Sequence, residues 1–395
     1  MRKPRLIQGY LVLIFFMMFI FGISNQTLGT LISRIISHYG ISMVQAGLLS
    51  SFLYAGNFAA ILIVSVFAGR INKMILLGGS LFFLAVSLGL VSAAPLFGVL
   101  LAGFALIGVF NATLDTLLNS LVADLMPDSV SVSMSLLHGL FGLGGLCGPI
   151  IIERLAVQFS WTQAYFIISM AFLIYLVIYA VFVKRQWNHL AVYVSHEKQV
   201  RFGFADIIQF FSHKRHVLLW SAMFLYAGGQ SILSVWIKRY VETHLERPDW
   251  GAYALSAMWL GTALSRLIIS TTVKASPLRK IFIGNLISGV ALSAGLLSGS
   301  VQGIVVASLV VGLSSGLSIP LILAQSCQWH QEKTAFGTLM PYTALFISYV
   351  IFPPSSGLIS DLFGIPWGVA LGALCAILAA VFSGALDAGL RRERE

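Results

Sequence analysis

One acidic side chain stands out among the residues that could do chemistry. Asp115 lies well inside a long apolar run, whereas the other acidic residues fall in or near the connections between such runs. A charged group in the middle of a lipid bilayer costs roughly 3 kcal/mol, so an acid in that place is a functional candidate. Desolvation favours the neutral form of a carboxyl, so Asp115 could take up and release a proton. The alternative is a structural carboxyl hydrogen-bonded between helices.

Two amides accompany this carboxyl. Asn111, Asp115 and Asn119 are spaced four residues apart, which places them on one face of a helix. A polar stripe in lipid is costly, so this face should meet a water-filled cavity or another helix. The amides could bind hydroxyl groups of a solute, or they could join helices.

His138 is a second ionisable candidate. The apolar runs before and after residues 126–127 predict a helical hairpin, and Asp115 and His138 lie at similar distances from its turn. A carboxyl–imidazole pair at that depth could hold or relay a proton. The alternative is a histidine fixed by a backbone carbonyl in a glycine-rich packing helix.

The composition places these residues in a membrane protein. Of the 395 residues 58% are hydrophobic and 10% are charged, against roughly 25% charged in an ordinary soluble domain. The net charge of +10 comes from basic residues in short connections, which indicates membrane topology rather than nucleic-acid binding. No metal-ligand spacing, Walker A sequence or HExxH motif is present. We therefore expect no enzyme activity, no cofactor, no metal and no nucleic acid.

Twelve apolar segments are long enough to cross the hydrocarbon core. They predict an all-α membrane protein of about twelve transmembrane helices. The segments are roughly 6–32, 43–68, 74–93, 96–123, 130–152, 161–183, 215–240, 250–273, 280–298, 302–325, 335–360 and 366–388. Glycines at 139–148 and at Gly312 and Gly316 predict close helix approach within this bundle.

One long polar connection divides the spans into two six-helix halves. We expect an N-terminal half at 1–183, a linker at 184–214 and a C-terminal half at 215–395. Most of the 24 basic residues lie in connections on one side of this topology, which places both termini and the linker in the cytoplasm. Residues 203–212 predict either a short amphipathic helix on the membrane surface or a solvated linker.

Several motifs support a resemblance to a known family. The sequence FAGRINKMILLGG, which contains Arg70, resembles the conserved loop after the second span of the major facilitator superfamily. The run from Trp259 to Arg266 resembles the W-x-G-x-x-x-G-R pattern of fucose-permease-like sugar transporters, with Ser265 in place of a glycine. The run from Leu137 to Pro149 also resembles that branch.

The resemblance implies a secondary transporter of the major facilitator fold. It implies alternating access around a pathway lined by helices one, four, seven and ten, and proton-coupled symport of a sugar or another neutral polyhydroxy compound. Arg70 and Arg266 are expected in gating or ion pairs. The substrate-binding candidates are Asn25, Gln26, Asn111, Asn119, Tyr226, Gln230, Trp259 and Tyr342.

Two other functions stay open on the sequence. One is proton-driven efflux of an amphipathic small molecule, and the other is an uncoupled facilitator or a sensor. The coupling ion is expected to be a proton, with sodium as the alternative. We expect a functional monomer in the bacterial cytoplasmic (inner) membrane, with lipid and a small-molecule substrate as its partners.

Overall fold

Apolar runs of about 20 residues bury their backbone polar groups by forming helices, because lipid offers those groups no hydrogen-bond partners. The computed structural model describes residues 5–67, 71–190, 194, 204–269, 275–331 and 334–392. Within these residues the regular secondary structure is helical, and no β-strand is found.

Among the described residues, seven α-helices precede the long polar connection. They are α1 (Arg5–Ser24), α2 (Thr27–Tyr39), α3 (Met43–Phe67), α4 (Lys73–Ser92), α5 (Phe97–Leu125), α6 (Val130–Gln158) and α7 (Trp161–Leu190). Eight helices follow in the described part of the chain. They are α8 (Phe204–Ser212), α9 (Lys214–Thr243), α10 (Pro248–Leu264), α11 (Pro277–Leu297), α12 (Val301–Ser315), α13 (Ser318–Trp329), α14 (Thr334–Phe363) and α15 (Ile365–Arg392).

The predicted all-α membrane fold with about twelve spans is confirmed. Each predicted span coincides with one helix or with two helices in tandem. In the described residues, 10 segments are long and apolar enough to cross a membrane. The other two predicted spans are α3 and α10, and α10 continues as a π-helical turn over Ser265–Ile269.

The first span differs from its prediction because it is divided. Asn25 and Gln26 form a turn between α1 and α2, and α2 continues to Tyr39. The Asn25 amide donates to the carbonyl of Phe21 at 2.9 Å, and the Thr27 hydroxyl donates to Ser24 at 2.8 Å. Such local side-chain bonds compete with the helical hydrogen bonds, so the polar sequence interrupts the helix.

The first compact unit comprises residues 1–27 and 52–199. In it α1 packs along α6, and α4 packs against α5 and α7. A Cβ atom on Gly144 would lie 2.9 Å from Cα of Gly22, so the two glycines allow α1 and α6 to touch. This confirms the predicted close approach in the glycine-rich span.

The second compact unit comprises residues 28–51 and 200–395. In it α9 contacts α10, α14 and α15, while α11 contacts α12 and α15. Residues 28–51 belong to this unit by their contacts, although the chain places them among the first two spans. The division into two six-helix halves at 183 and 215 stays a prediction.

The segment predicted at 203–212 forms the helix α8. Phe210 is buried against Phe336 and Met340, with Ile207 and Trp220 packed beside them. The side chain of Phe210 thus anchors α8 to α9 and α14. Its position relative to a membrane surface stays a prediction.

Candidate functional site

The polar stripe on α5 forms one local hydrogen-bonded group. The Asn119 amide donates to the carbonyl of Asp115 at 2.8 Å and to its carboxylate Oδ1 at 3.2 Å. The Asp115 side chain is half-buried. Asn111, one turn earlier, is buried, and its Oδ1 has no hydrogen-bond partner in the described residues. The structure therefore joins Asp115 to Asn119 and leaves an acceptor unfilled on Asn111.

His138 lies half-buried on α6. The hydrogen bonds described for Asp115 run to Asn119, so the predicted pair of Asp115 and His138 stays a prediction.

The turn at the division of the first span carries a second unfilled amide. Gln26 is buried, and its Nε2 has no partner in the part of the chain that the structure describes. A Cβ atom on Gly148 would lie 2.8 Å from Cγ of Gln26, so α6 fixes the amide in place. Asn25 bonds the backbone instead. Of the two predicted residues, Gln26 is the one with a buried polar atom that lacks a partner in the described residues.

In the second compact unit, Tyr226 and Gln230 line the same internal cavity, as their spacing on α9 predicts. Its volume is about 20 Å³, room for about one water molecule. Oε1 of Gln230 lacks a partner in the described residues. Thr262 on α10 and Ser315 on α12 add hydroxyl groups to the wall.

Asn285 is a residue of this cavity that the sequence analysis missed. It is fully buried on α11, where Nδ2 donates to the carbonyl of Ile281 at 2.9 Å and to the hydroxyl of Ser318 at 3.0 Å. Its Oδ1 has no partner among the described residues. An asparagine inside the span predicted at 280–298 is the signal that could have found it, because a buried amide in lipid is costly.

Three further predicted residues, Trp259, Tyr342 and Arg266, are not among the residues that line that cavity. Trp259 is half-buried on α10, and Tyr342 on α14 stacks on Phe346 with ring centroids 5.9 Å apart. Nε of Arg266 lies 3.4 Å from the carbonyl of Gly316. Arg70 lies outside the described residues.

The motif around Trp259 contains the small residues of a tight helix contact. A Cβ atom on Gly261 would lie 2.6 Å from the backbone nitrogen of Leu313, and one on Gly316 would lie 3.0 Å from Cβ of Ser265. Gly312 faces the backbone of α10 just as closely. The predicted close approach at Gly312 and Gly316 is confirmed, and Ser265 is small enough to take the place of the usual glycine.

Polar contacts hold residues 28–51 to the rest of the second unit. Glu242 on α9 accepts from the Ser33 hydroxyl and pairs with the buried Lys238. Asp361 on α14 accepts from the backbone nitrogens of Met43 at 3.0 Å and Val44 at 2.9 Å. The contacts join the end of α2 and the start of α3 to α9 and α14.

A bundle of membrane-spanning helices with unfilled polar atoms in its interior has the architecture of a membrane transporter. The family model described as Major Facilitator Superfamily matches residues 14–283. The chain belongs to this superfamily, and it is therefore a multi-pass secondary transporter that works by alternating access rather than an enzyme. No curated protein sequence matches the chain.

Solved structures share the fold. A bacterial homolog of the human lysosomal transporter Spinster, inward-facing and occupied, is 13% identical with a TM-score of 0.71, and the match covers 98% of this chain and 97% of that one. The peptide transporter POT in complex with sulfate is 15% identical with a TM-score of 0.75, covering 97% and 94%. A point mutant of POT is 14% identical with a TM-score of 0.80, covering 97% and 95%. The fucose-permease-like branch stays a prediction.

Proposed function

We propose that the chain is a proton-coupled symporter of a neutral, hydroxyl-rich solute such as a sugar. The observation that carries the proposal is the stripe on α5, where the Asp115 carboxylate accepts from Asn119 and Asn111 keeps an unfilled acceptor. Because a charged side chain at the centre of a bilayer costs roughly 3 kcal/mol on insertion scales, a carboxyl kept there needs a function. Taking up the coupling proton is such a function.

The unfilled amide atoms match the chemistry of a hydroxyl group. In the first compact unit Gln26 offers an unused donor and Asn111 an unused acceptor, and in the second unit Gln230 and Asn285 each offer an unused acceptor. A hydroxyl both donates and accepts, so it can satisfy either kind of atom within either unit. A buried polar atom without a partner costs about 1–3 kcal/mol, and a lipophilic substrate would leave that cost in place. This favours a hydroxyl-rich solute over an amphipathic one.

The cavity beside Tyr226 and Gln230 is too small for a sugar as it stands, since it has room for about one water molecule. Entry of a solute would require α9, α10 and α11 to separate. Alternating access supplies movements of this kind around a central site. We therefore infer that these residues meet the solute during part of the cycle only.

The basic residues in the connections between spans indicate how the transporter is oriented in its membrane. We propose the bacterial inner membrane with both termini in the cytoplasm, because the basic residues concentrate on that side of the predicted topology. We also propose that the monomer is functional, since one chain contains both the polar stripe on α5 and the polar residues around Gln230.

Uptake into proteoliposomes at clamped internal and external pH tests this proposal. Wild type and Asp115→Asn are compared with a panel of radiolabelled sugars, with an inward proton gradient or an inward sodium gradient. We expect accumulation driven by the proton gradient in wild type. In Asp115→Asn we expect loss of accumulation with retained exchange of sugar across the membrane, because binding survives when coupling is lost.

Thr116→Ala is the matched control, because the neighbouring Thr116 side chain is exposed and bonds the backbone of its own helix. It should accumulate sugar like wild type. Proton-driven accumulation that survives Asp115→Asn would remove Asp115 from coupling, and accumulation driven by sodium alone would replace the proton. Absence of flux for every sugar, in protein that shows wild-type thermal unfolding, would refute the sugar assignment.

A further inference from the structure

An apolar groove lies on the first compact unit between the start of α4 and the end of α7. Its volume is about 440 Å³. Its lining includes Ile75, Gly78, Tyr179, Val183, Lys184 and Trp187. None of these six is acidic, and Lys184 is the one charged residue of the lining.

Hydrogen bonds fix the floor of this groove. The Tyr179 hydroxyl donates to the carbonyl of Met74 at 2.9 Å and lies 3.1 Å from the hydroxyl of Tyr10. Tyr179 is 3% exposed, so these bonds connect α7 to α4 and to α1 in the interior. The groove therefore lies over a hydrogen-bonded contact between packed helices.

The groove is apolar at α4 and carries positive charge at the end of α7. Ile75, 57% exposed, presents an apolar surface to the surroundings of the bundle. At the end of α7 the exposed Lys184 and its neighbour Arg185 place positive charge beside the half-buried Trp187. A tryptophan beside basic residues is typical of the level of lipid headgroups.

We propose that this groove binds one anionic phospholipid. An acyl chain would lie along the apolar wall between α4 and α7, and the phosphate would lie at Lys184. Basic pockets between transmembrane helices bind anionic headgroups in this way. The groove is distinct from the polar stripe on α5, so its ligand does not depend on which solute the protein transports.

Two adjacent glycines allow a matched test. A Cβ atom on Gly78 would lie 3.6 Å from the Tyr179 ring, in ordinary contact inside the groove, whereas one on Gly79 would meet nothing within 4 Å. The Cβ atom of Gly78→Leu is therefore accommodated, and the rest of the side chain should extend into the groove. Gly79→Leu places the same side chain on the same helix outside the groove lining.

Native mass spectrometry of the full chain in detergent measures the binding. The protein is titrated with phosphatidylglycerol or with phosphatidylcholine of identical acyl chains. We expect one tightly bound phosphatidylglycerol and weaker phosphatidylcholine. Gly78→Leu should weaken binding roughly 15-fold if it excludes two methylene groups at about 0.8 kcal/mol each, and Gly79→Leu should bind like wild type.

Lys184→Gln tests the headgroup contact separately, since this exposed side chain can be changed without disturbing packing. It should weaken phosphatidylglycerol about five-fold, the equivalent of about 1 kcal/mol per basic side chain, and leave phosphatidylcholine unchanged. Equal lipid binding by Gly78→Leu and Gly79→Leu would overturn the proposal. Equal affinity for the two lipids, unchanged by Lys184→Gln, would also overturn it. A dimer peak that disappears in Gly78→Leu would overturn it as well, because it would assign the groove to a second copy of the chain.

Discussion

The first turn of α3 is held at two levels, one local and one remote. Locally, the Ser42 nitrogen donates to the Gln45 side chain at 2.9 Å, and the Gln45 nitrogen donates to the Ser42 hydroxyl at 3.2 Å. This is a reciprocal capping box. The remote contact is the Asp361 carboxylate, which accepts from the nitrogens of Met43 and Val44. Because Asp361 belongs to α14, it joins the start of α3 to a distant part of the chain.

Asp361→Asn should weaken this junction by about 1 kcal/mol. Asparagine keeps one acceptor oxygen and loses the second, and a single capping bond contributes about 1 kcal/mol. It also loses the negative charge at a helix N-terminus, which contributes roughly 0.3–1 kcal/mol and is screened where the group is exposed, as Asp361 is. The sum lies between about 1 and 2 kcal/mol, and solvent screening favours the lower value.

Hydrogen exchange at the start of α3 measures the effect. About 1 kcal/mol corresponds to a roughly five-fold change in an opening equilibrium, so amides 43–46 should exchange about five times faster in Asp361→Asn. Asp249→Asn is the control, because the exposed pair of Asp249 and Arg247 touches a different helix and contributes little.

The same experiment tests whether the junction belongs to the transport cycle. If α3 and α14 separate in one state, the variant should shift the population towards that state and alter transport rate and exchange rate together. Ser42→Ala loses only the local cap, so it should speed exchange with a smaller change in transport. Exchange within two-fold of wild type in Asp361→Asn would refute the assigned strength of the contact.

Three further predictions concern packing, charge and binding. Gly312→Ala should cost about 1–3 kcal/mol by overpacking, measured as a lower Tm in detergent, whereas Gly98→Ala, with open space around its Cβ, should leave Tm unchanged or slightly raised. Lys73→Met should lower the free energy of unfolding by about 2 kcal/mol, because it removes the ammonium that donates to the Asp124 carboxylate at 2.9 Å. The double variant with Asp124→Asn should recover most of the stability in a denaturation cycle. If the solute bonds the amide of Asn111, Asn111→Ala should raise KM for uptake about five-fold, as expected for one hydrogen bond of about 1 kcal/mol, and an unchanged KM would exclude that contact.

The helices could be predicted from the sequence because lipid gives the backbone almost no alternative. The interruptions were harder to predict. Asn25 and Gln26 are predicted as substrate-binding residues within one span, and the end of a helix at this point depends on side-chain bonds to the backbone. The π-helical turn at Arg266 leaves no signature in hydropathy. Helical period and apolar length are local properties, so they determine the spans better than the breaks inside them.

The candidate site was predicted where one helix suffices to define it. Asp115 and Asn119 are joined as their four-residue spacing suggests, and Tyr226 and Gln230 share a cavity for the same reason. Asn285 was missed because it reaches that cavity from another helix. The sequence of one helix does not predict which other helix packs against it. The grouping of residues 28–51 with residues 200–395 is a tertiary property of the same kind.

The motif that suggested a sugar transporter has a structural explanation of its own. Its small residues, Gly261 on α10 and Ser265 in the π-helical turn that follows, pack closely against Gly312 on α12 and Gly316 at the end of that helix. A pattern maintained by close packing transfers from one transporter to another with the fold, whatever solute is carried. The substrate must therefore be argued from groups that packing does not need. The unfilled amide of Gln26 is such a group, so a substitution there tests solute binding more directly than substitutions in the motif, whereas a substitution of Asp115 tests proton coupling.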